Sequence, residues 1–486
     1  MTHHRPLFER AVAHAVRFRD QIPDRPPRPT VTAAQLEALF GGPTPEAGEP
    51  SLAVVDALAA AAEPGLAAAA GSRFFSWVMG GSHPVGVAAD ILTSAWGQNA
   101  GNYATSPAAA MAEQAAGRWL VDMLRLPPES SVGFVTGATM ASFVCLAAAR
   151  NAVLARAGWD VERDGLAGAP RVRVFLGDDA HATIVSALRY LGFGSQAVRI
   201  PTDAQGRMDP EALAVALWDG SGPAIVIAQA GQINTGAFDP IPEIARACRR
   251  HDAWLHVDGA FGLWARAVPE MVELTAGLEL ADSWSVDGHK WLQLPFDSGF
   301  AIVRHAEAHQ RAMSISASYL PVASGAEYDP GQFCPELSRR ARGFTAWAVL
   351  RALGREGVAD VVRRHCALAR RLAVRLGAAP GVTVLNHVQL NQVIVRFGDG
   401  APEVGDALTR AVIARLRAEN IYQADGAEWH GRWVLRLSLI AAQLSTADVD
   451  GLASALLAAW RRVRVEAAAA LRPPAAPTDQ RSRARG

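Results

Sequence analysis

Two short runs carry residues whose types suggest covalent chemistry: Asp282-Ser-Trp-Ser-Val-Asp287-Gly288-His289-Lys290 and, upstream of it, Trp254-Leu-His-Val-Asp258-Gly-Ala260. The first is a β-type run ending in His-Lys. The second is an apolar strand with an acid at its C-terminal end. A lysine amine can form a Schiff base with an aldehyde, and an acid buried among apolar neighbours needs a cationic partner. Pyridoxal 5'-phosphate answers both needs: its aldehyde takes Lys290, and its ring nitrogen pairs with Asp258, which keeps the ring able to accept electrons. The competing reading of Asp258 is an acid that caps the next turn.

Other residues extend the same reading. Ala260 is small enough to lie under a flat ring. His181, in Gly177-Asp-Asp-Ala-His181-Ala-Thr, falls at a strand-to-helix junction, where an imidazole can stack on the ring's other face. Thr136-Gly137-Ala138-Thr139 follows an apolar run and opens a helix, so free N–H groups and the helix dipole there suit a phosphate. His289 can add a contact to that phosphate, and Asn234, after another strand, can place polar groups at the cofactor edge. Rival motifs are missing: the sequence has no G-x-x-x-x-G-K-[ST], no H-E-x-x-H and no nucleophile elbow. His305 and His309 share a helix spacing without a third ligand, so they read as solvated helix and no metal is expected.

These residues need strands to present them. Apolar runs at Gly133–Thr136, Arg171–Leu176, Ala197–Ile200, Ala224–Gln229, Trp254–Asp258, Ser283–Val286 and Phe300–Val303 alternate with helical stretches. That alternation predicts an α/β fold with a mostly parallel seven-stranded sheet covered by helices on both faces. Ligands bind at the carboxyl ends of such strands. Residues 1–85 read as an N-terminal helical arm, 86–343 as the large cofactor-binding domain, and 344–470 as a small α+β domain. Within the last, helices are expected at Phe344–Gly354 and Val358–Leu376, and strands at Val382–Leu385, Gln392–Phe397 and Val434–Leu439. The loop-rich stretch 305–340 reads as a lid or linker, and the Pro- and Arg-rich end, 471–486, as a disordered tail.

Composition is consistent with an ordinary globular chain of 486 residues, 50% hydrophobic and 19% charged. Lys+Arg and Asp+Glu balance at 47 each, which gives no sign of a nucleic-acid surface. No run reads as a membrane span or a targeting signal, and Cys145, Cys248, Cys334 and Cys366 show no metal or redox spacing. A cytoplasmic protein with reduced thiols is expected.

Taken in order, the segments resemble the group II pyridoxal-phosphate decarboxylases of the fold type I (aspartate aminotransferase) superfamily. The resemblance runs from about Arg73 to Ser445. It is carried by Phe74-Phe75 through Ala88-Ala89-Asp90, Ser106-Pro107, Thr136–Ser142, His181, Gly236-Ala-Phe-Asp239, His256-Val-Asp258, His289-Lys290 and Ser338-Arg339-Arg340. It implies that Lys290 is the Schiff-base lysine, that Asp258 pairs with the ring nitrogen and that His181 stacks on the ring. It also implies that Ala138, Thr139 and His289 bind the cofactor and that Phe75, Trp77 and Met79 form part of the substrate pocket. A homodimer with shared active sites is implied too, with Tyr328 as counterpart of a loop tyrosine that protonates the product. The sequence departs from the family in having Asp287-Gly288 for the usual Asn-Pro, Gly259-Ala260-Phe261 for Ala-Ala-Tyr, and Met140 for an acid.

The implied activity is decarboxylation of an L-amino acid, with Trp77, Phe75 and Phe261 favouring an aromatic or other bulky side chain. Alternatives on the same scaffold are a carbon–carbon lyase, a decarboxylation coupled to oxidative deamination, and a non-catalytic cofactor-binding homologue.

Overall fold

Seven strands build the central sheet: β1 (Ser131–Val135), β2 (Arg173–Gly177), β3 (Val198–Ile200), β4 (Ala224–Gln229), β5 (Trp254–Asp258), β6 (Ser283–Asp287) and β7 (Gly299–Val303). The computed structural model describes residues 4–315 and 328–470, so the expected tail and part of the expected lid lie outside the described residues. The strand order is β1-β7-β6-β5-β4-β2-β3. β7 runs antiparallel to both neighbours, while β3, β2, β4, β5 and β6 pair in parallel. Each of β4 to β7 is buried at every residue, as expected of strands covered on both faces. The expected strands are all present, with ends shifted by up to two residues.

Helices cross between the parallel strands at Ala138–Arg156, Ala182–Tyr190, Pro210–Trp218 and Ile241–Arg250. The first is apolar and long enough to cross a bilayer by composition alone. Here it is a core helix, packed on β5, β6 and β7 with Val144, Cys145 and Leu146 fully buried.

The small domain has a four-stranded antiparallel sheet, β8 (Val382–Val384), β9 (Gln392–Phe397), β10 (Asp425–Trp429) and β11 (Arg432–Ser438), in the order β10-β11-β9-β8. β10 was not expected. Its sequence, Asp-Gly-Ala-Glu-Trp, lacks β-branched residues, and its turn is His430-Gly431 in place of the usual Asn-Gly. Both turn residues have positive φ, 47° and 71°, which is the geometry of a two-residue hairpin. The two helices expected around Gly354 form one helix, Arg342–Gly377, broken at that glycine by a non-helical φ of 61°.

Two further expectations are corrected by burial. His309 lies on the helix Ala306–Met313 but is fully buried, with Nδ1 2.9 Å from Ser131 Oγ. The expectation of a solvated helix therefore fails for that residue: its ring fills space beside Phe333. Phe75 is also fully buried, but within the small-domain core with Leu435, Leu437 and Leu439. Its backbone hydrogen-bonds to Gln423 and Ser438, which turns the side chain into packing and away from a pocket wall.

Candidate active site

The carboxyl ends of β1, β2, β4, β5 and β6 converge on one cavity of about 310 Å³. Its lining includes Thr136, Gly137, Ala138 and Thr139 after β1, His181 after β2, Gln229 at the end of β4, Asp258 at the end of β5, and Asp287, His289 and Lys290 after β6. Parallel pairing sets Gln229 beside Asp258 and Asp258 beside Ser285, so the acid sits in the middle of the floor. Ala260 and Phe261 complete that floor.

Asp258 is 7% exposed, and its Oδ1 accepts a hydrogen bond from Ala260 N at 3.1 Å. Burial pushes its carboxyl upward, opposed first by His181 and then by Lys290. A desolvated carboxylate that keeps so few donors calls for a cation above it. His181 caps the helix Ala182–Tyr190, its Nδ1 accepting from Thr183 N at 3.3 Å. That bond leaves Nε2 to carry the proton of the neutral ring. Burial holds the His181 imidazole below its ordinary basicity; Asp258 opposes, and Lys290 and Arg436 reinforce.

Lys290 Nζ lies 2.9 Å from Asp287 Oδ2. It is the sole lysine in the chain, against arginine at every other Lys+Arg position. An arginine cannot be deprotonated near neutrality, so a single lysine at the cavity floor marks a position that needs a nucleophilic amine. That compositional signal was available in the sequence and strengthens the reading of Lys290.

The lysine turn is held from outside. Gln293, itself buried, donates from Nε2 to Lys290 O at 3.0 Å and to Ile440 O at 2.7 Å, while its Oε1 accepts from Gly81 N. Gly80 packs directly on this turn, where a Cβ would collide with the carbonyl oxygens of His289 and Lys290. Trp291 Nε1 donates to His365 Nδ1 at 3.0 Å, and His365 Nε2 donates to Ala441 O at 2.9 Å. Both ring nitrogens are thus used by the neutral imidazole, and burial pushes His365 down to about 3. The folded state resists protonating this ring whereas the unfolded chain accepts a proton near pH 6.5, so its stabilising contribution is present above that pH and is lost as pH falls toward 3. In His365→Gln, stability should therefore fall less steeply on acidification, by up to about 1.4 kcal/mol per pH unit. Urea midpoints at pH 7, 6, 5 and 4 measure this; parallel curves for the two proteins would refute it.

Of the expected site residues, Lys290, Asp258, Ala260, His181, Ala138, Thr139 and His289 line one cavity. Asn234 does not. Its neighbours Gly231 and Ile233 line the wall, and its own N–H is tied to Gln232 Oε1 at 2.6 Å. Trp77 and Met79 precede Gly80 on the segment that packs on the lysine turn; neither lines the cavity, and Trp77 is 53% exposed. Tyr328 is placed elsewhere: its hydroxyl donates to Val132 O at 3.2 Å and its ring stacks on Phe333. Val132 lies four residues upstream of Thr136 on β1, about 13 Å along the strand. Within its own chain Tyr328 is therefore held at the far end of β1, outside the cavity lining.

Residues not expected at the site include Gln229, Asp287, Phe296 and Arg436. Phe296 stacks on His289 with ring centroids 4.3 Å apart and is 57% exposed. Arg436 comes from β11 of the small domain, and its charge reaches His181. It makes no side-chain hydrogen bond or ion pair among the described residues, while burial lowers its basicity. The signal was a charge set between Leu435 and Leu437 within the apolar run Trp433–Leu437.

The residues present fit pyridoxal phosphate. Asp258 is a desolvated acid awaiting a ring cation, Lys290 is the single amine, and the helix start at Ala138 faces the same space. Comparison with known proteins agrees. The family profile of the pyridoxal-dependent decarboxylase conserved domain matches residues 34–397. An aromatic-L-amino-acid decarboxylase of Bacillus atrophaeus is 30% identical over 333 residues, 67% of this chain and 67% of its own length. Tryptophan decarboxylase 1 of Oryza sativa subsp. japonica is 29% identical over 462 residues, 90% of this chain and 89% of its own. The crystal structure of Oryza sativa TDC with PLP and tryptamine aligns with a TM-score of 0.88 at 25% identity, over 94% of this chain and 97% of that one. A 4-hydroxyphenylacetaldehyde synthase of Rhodiola rosea, at 22% identity, shares the fold with a TM-score of 0.85, over 95% of this chain and 98% of that one.

Proposed function

This chain belongs to the pyridoxal-dependent decarboxylase family, and we propose that its substrate is an aromatic L-amino acid, converted to the corresponding amine and carbon dioxide. It is a pyridoxal-phosphate-dependent carboxy-lyase; the aromatic preference is the inference. The observation that carries it is the aromatic surface beside the amine. The Phe261 ring centroid lies 5.9 Å from Lys290 Nζ, and Phe296 stacks on the adjacent His289. Support also comes from the names of two relatives, an aromatic-L-amino-acid decarboxylase and a tryptophan decarboxylase.

When bound, pyridoxal phosphate supplies a conjugated electrophile that takes up the electron pair left as a bond at Cα breaks. Residues of the chain decide which bond that is. Arg436, with no ion-pair partner among the described residues, would orient the substrate carboxylate by charge-assisted hydrogen bonds. His181 offers Nε2–H from a neutral ring, and Asp258 keeps negative charge on the floor. Phe261, buried in the cavity wall, limits water beside the amine. Decarboxylation replaces the lost carboxylate by a proton at Cα. With Tyr328 committed to Val132, Lys290 Nζ is the candidate donor within this chain.

A panel of L-tryptophan, L-tyrosine, L-phenylalanine, L-glutamate and L-histidine, assayed for carbon dioxide, amine and aldehyde, tests this reading. Amine and carbon dioxide should form in equal amounts, with kcat/KM for an aromatic substrate at least about tenfold above that for glutamate. Preference for glutamate would sink the aromatic assignment, and aldehyde in place of amine would favour oxidative deamination. Arg436→Gln should raise KM by about 10- to 100-fold with a smaller change in kcat, the cost of losing hydrogen bonds to a charged group. An unchanged KM would remove Arg436 from carboxylate binding.

We also propose a cytoplasmic homodimer. The helices His4–Gln21, Ala33–Phe40 and Ser51–Ala62 bury no residue within this chain and expose Phe8, Val16, Phe40 and Leu58. Apolar surface of that extent favours a partner. Four unpaired, buried cysteines support a reducing compartment. Light scattering of the purified protein, and fractionation of cells producing it, test the two halves.

A further inference from the structure

We propose that Asp287 is a positioning residue that pairs with the lysine nitrogen and occupies the helix start at the expense of cofactor affinity. The carboxylate is 3% exposed at the end of β6. One oxygen, Oδ2, lies 2.9 Å from Lys290 Nζ. The other, Oδ1, accepts Ala138 N–H at 2.5 Å and lies 3.4 Å from His289 Nε2. Asp287 therefore spans the two places where a pyridoxal phosphate would be held: the amine that bonds its aldehyde and the helix start that receives its phosphate.

The two contacts have opposite consequences. A buried anion in ion-pair contact with Nζ favours positive charge on whatever that nitrogen becomes when it bonds the cofactor. At the helix start the same anion already occupies the first N–H and repels an incoming phosphate. Other charges face Lys290 as well: Asp258 from β5, His181 from the start of the Ala182–Tyr190 helix, His289 beside it, and Arg436 through His181. Asp297 acts on His289 from the following turn. Of these, Asp287 is the carboxylate in ion-pair contact with Nζ.

The inference rests on the cofactor assignment, and its test separates the two. Purified wild-type protein, Asp287→Asn and Asp287→Glu are loaded with pyridoxal phosphate, and the visible spectrum is followed from pH 6 to pH 10. The stripped proteins are titrated with the cofactor to obtain Kd. Asparagine keeps an oxygen for Ala138 N–H and removes the charge. It should lower the pH midpoint of the visible transition by at least about one unit and tighten Kd by about threefold or more. Glutamate should restore the wild-type midpoint. An unchanged midpoint in Asp287→Asn overturns the proposal. So does weaker cofactor binding together with a lower Tm, the signature of a merely structural side chain. A wild-type protein that never acquires a visible band would overturn the cofactor assignment itself, and this inference with it.

Discussion

Lys290→Ala should lose turnover by at least about four orders of magnitude, as expected when one member of an interdependent catalytic set is removed. The same variant should lose all cofactor fixed by borohydride. The second readout is unusually clean here because Lys290 is the chain's sole lysine. No other ε-amine can take the label, so mass spectrometry of the reduced wild-type protein should place the cofactor on one peptide only. The fold should survive, since Nζ leaves only an ion pair with Asp287 behind and the lysine turn is held by Gln293 and Trp291. Residual activity with a borohydride label elsewhere would refute the assignment.

The second large effect is expected at Asp258. Asp258→Asn keeps the shape and removes the charge that the cavity floor directs at a bound ring. Turnover should fall by about 10²- to 10⁴-fold, the range found when a group that holds a proton in the transition state is lost. Substrate KM should change little, because Arg436 and the aromatic wall are untouched. The visible band should also respond, since the ring nitrogen would no longer meet a carboxylate. A variant with wild-type turnover would show that Asp258 is a structural acid and that the ring is oriented otherwise.

Asp239 shows why burial alone does not mark a catalytic acid. It is as buried as Asp258 and is pushed up to about 7, again by desolvation. Yet its oxygens accept from Met208 N and Gln229 N at 2.8 and 2.7 Å, which ties the end of β4 to the preceding crossover. Asp239 lies outside the cavity lining, so it supports Gln229 from behind.

Much was legible in the linear order of residues. Seven apolar runs separated by helices imply one buried sheet, because only strands covered on both faces read as continuous apolar stretches. Lys290, Asp258 and His181 could be assigned because each ends a strand or opens a helix, and chain polarity brings those ends to one side of the sheet. Residues implied by the family resemblance are a different matter, because matching a motif says nothing about direction in space. The resemblance implied Phe75 in a pocket wall and Tyr328 as a proton donor in a shared site; within this chain Phe75 fills the small-domain core and Tyr328 stacks on Phe333. β10 escaped because a His-Gly turn and a polar strand give no local signal.

The amino-acid sequence by itself determined the chemistry: one amine, one strand-end acid and a helix start for a phosphate, whose identities are intrinsic to the side chains. Tertiary structure alone decided which side chains act on them. Arg436 reaches His181 only because β11 packs its domain against the large one, and Asp287 meets both Lys290 and Ala138 only because β1 and β6 flank β7. Contacts between residues so distant in sequence depend on the register of the sheet and on domain packing, and local composition carries no record of either.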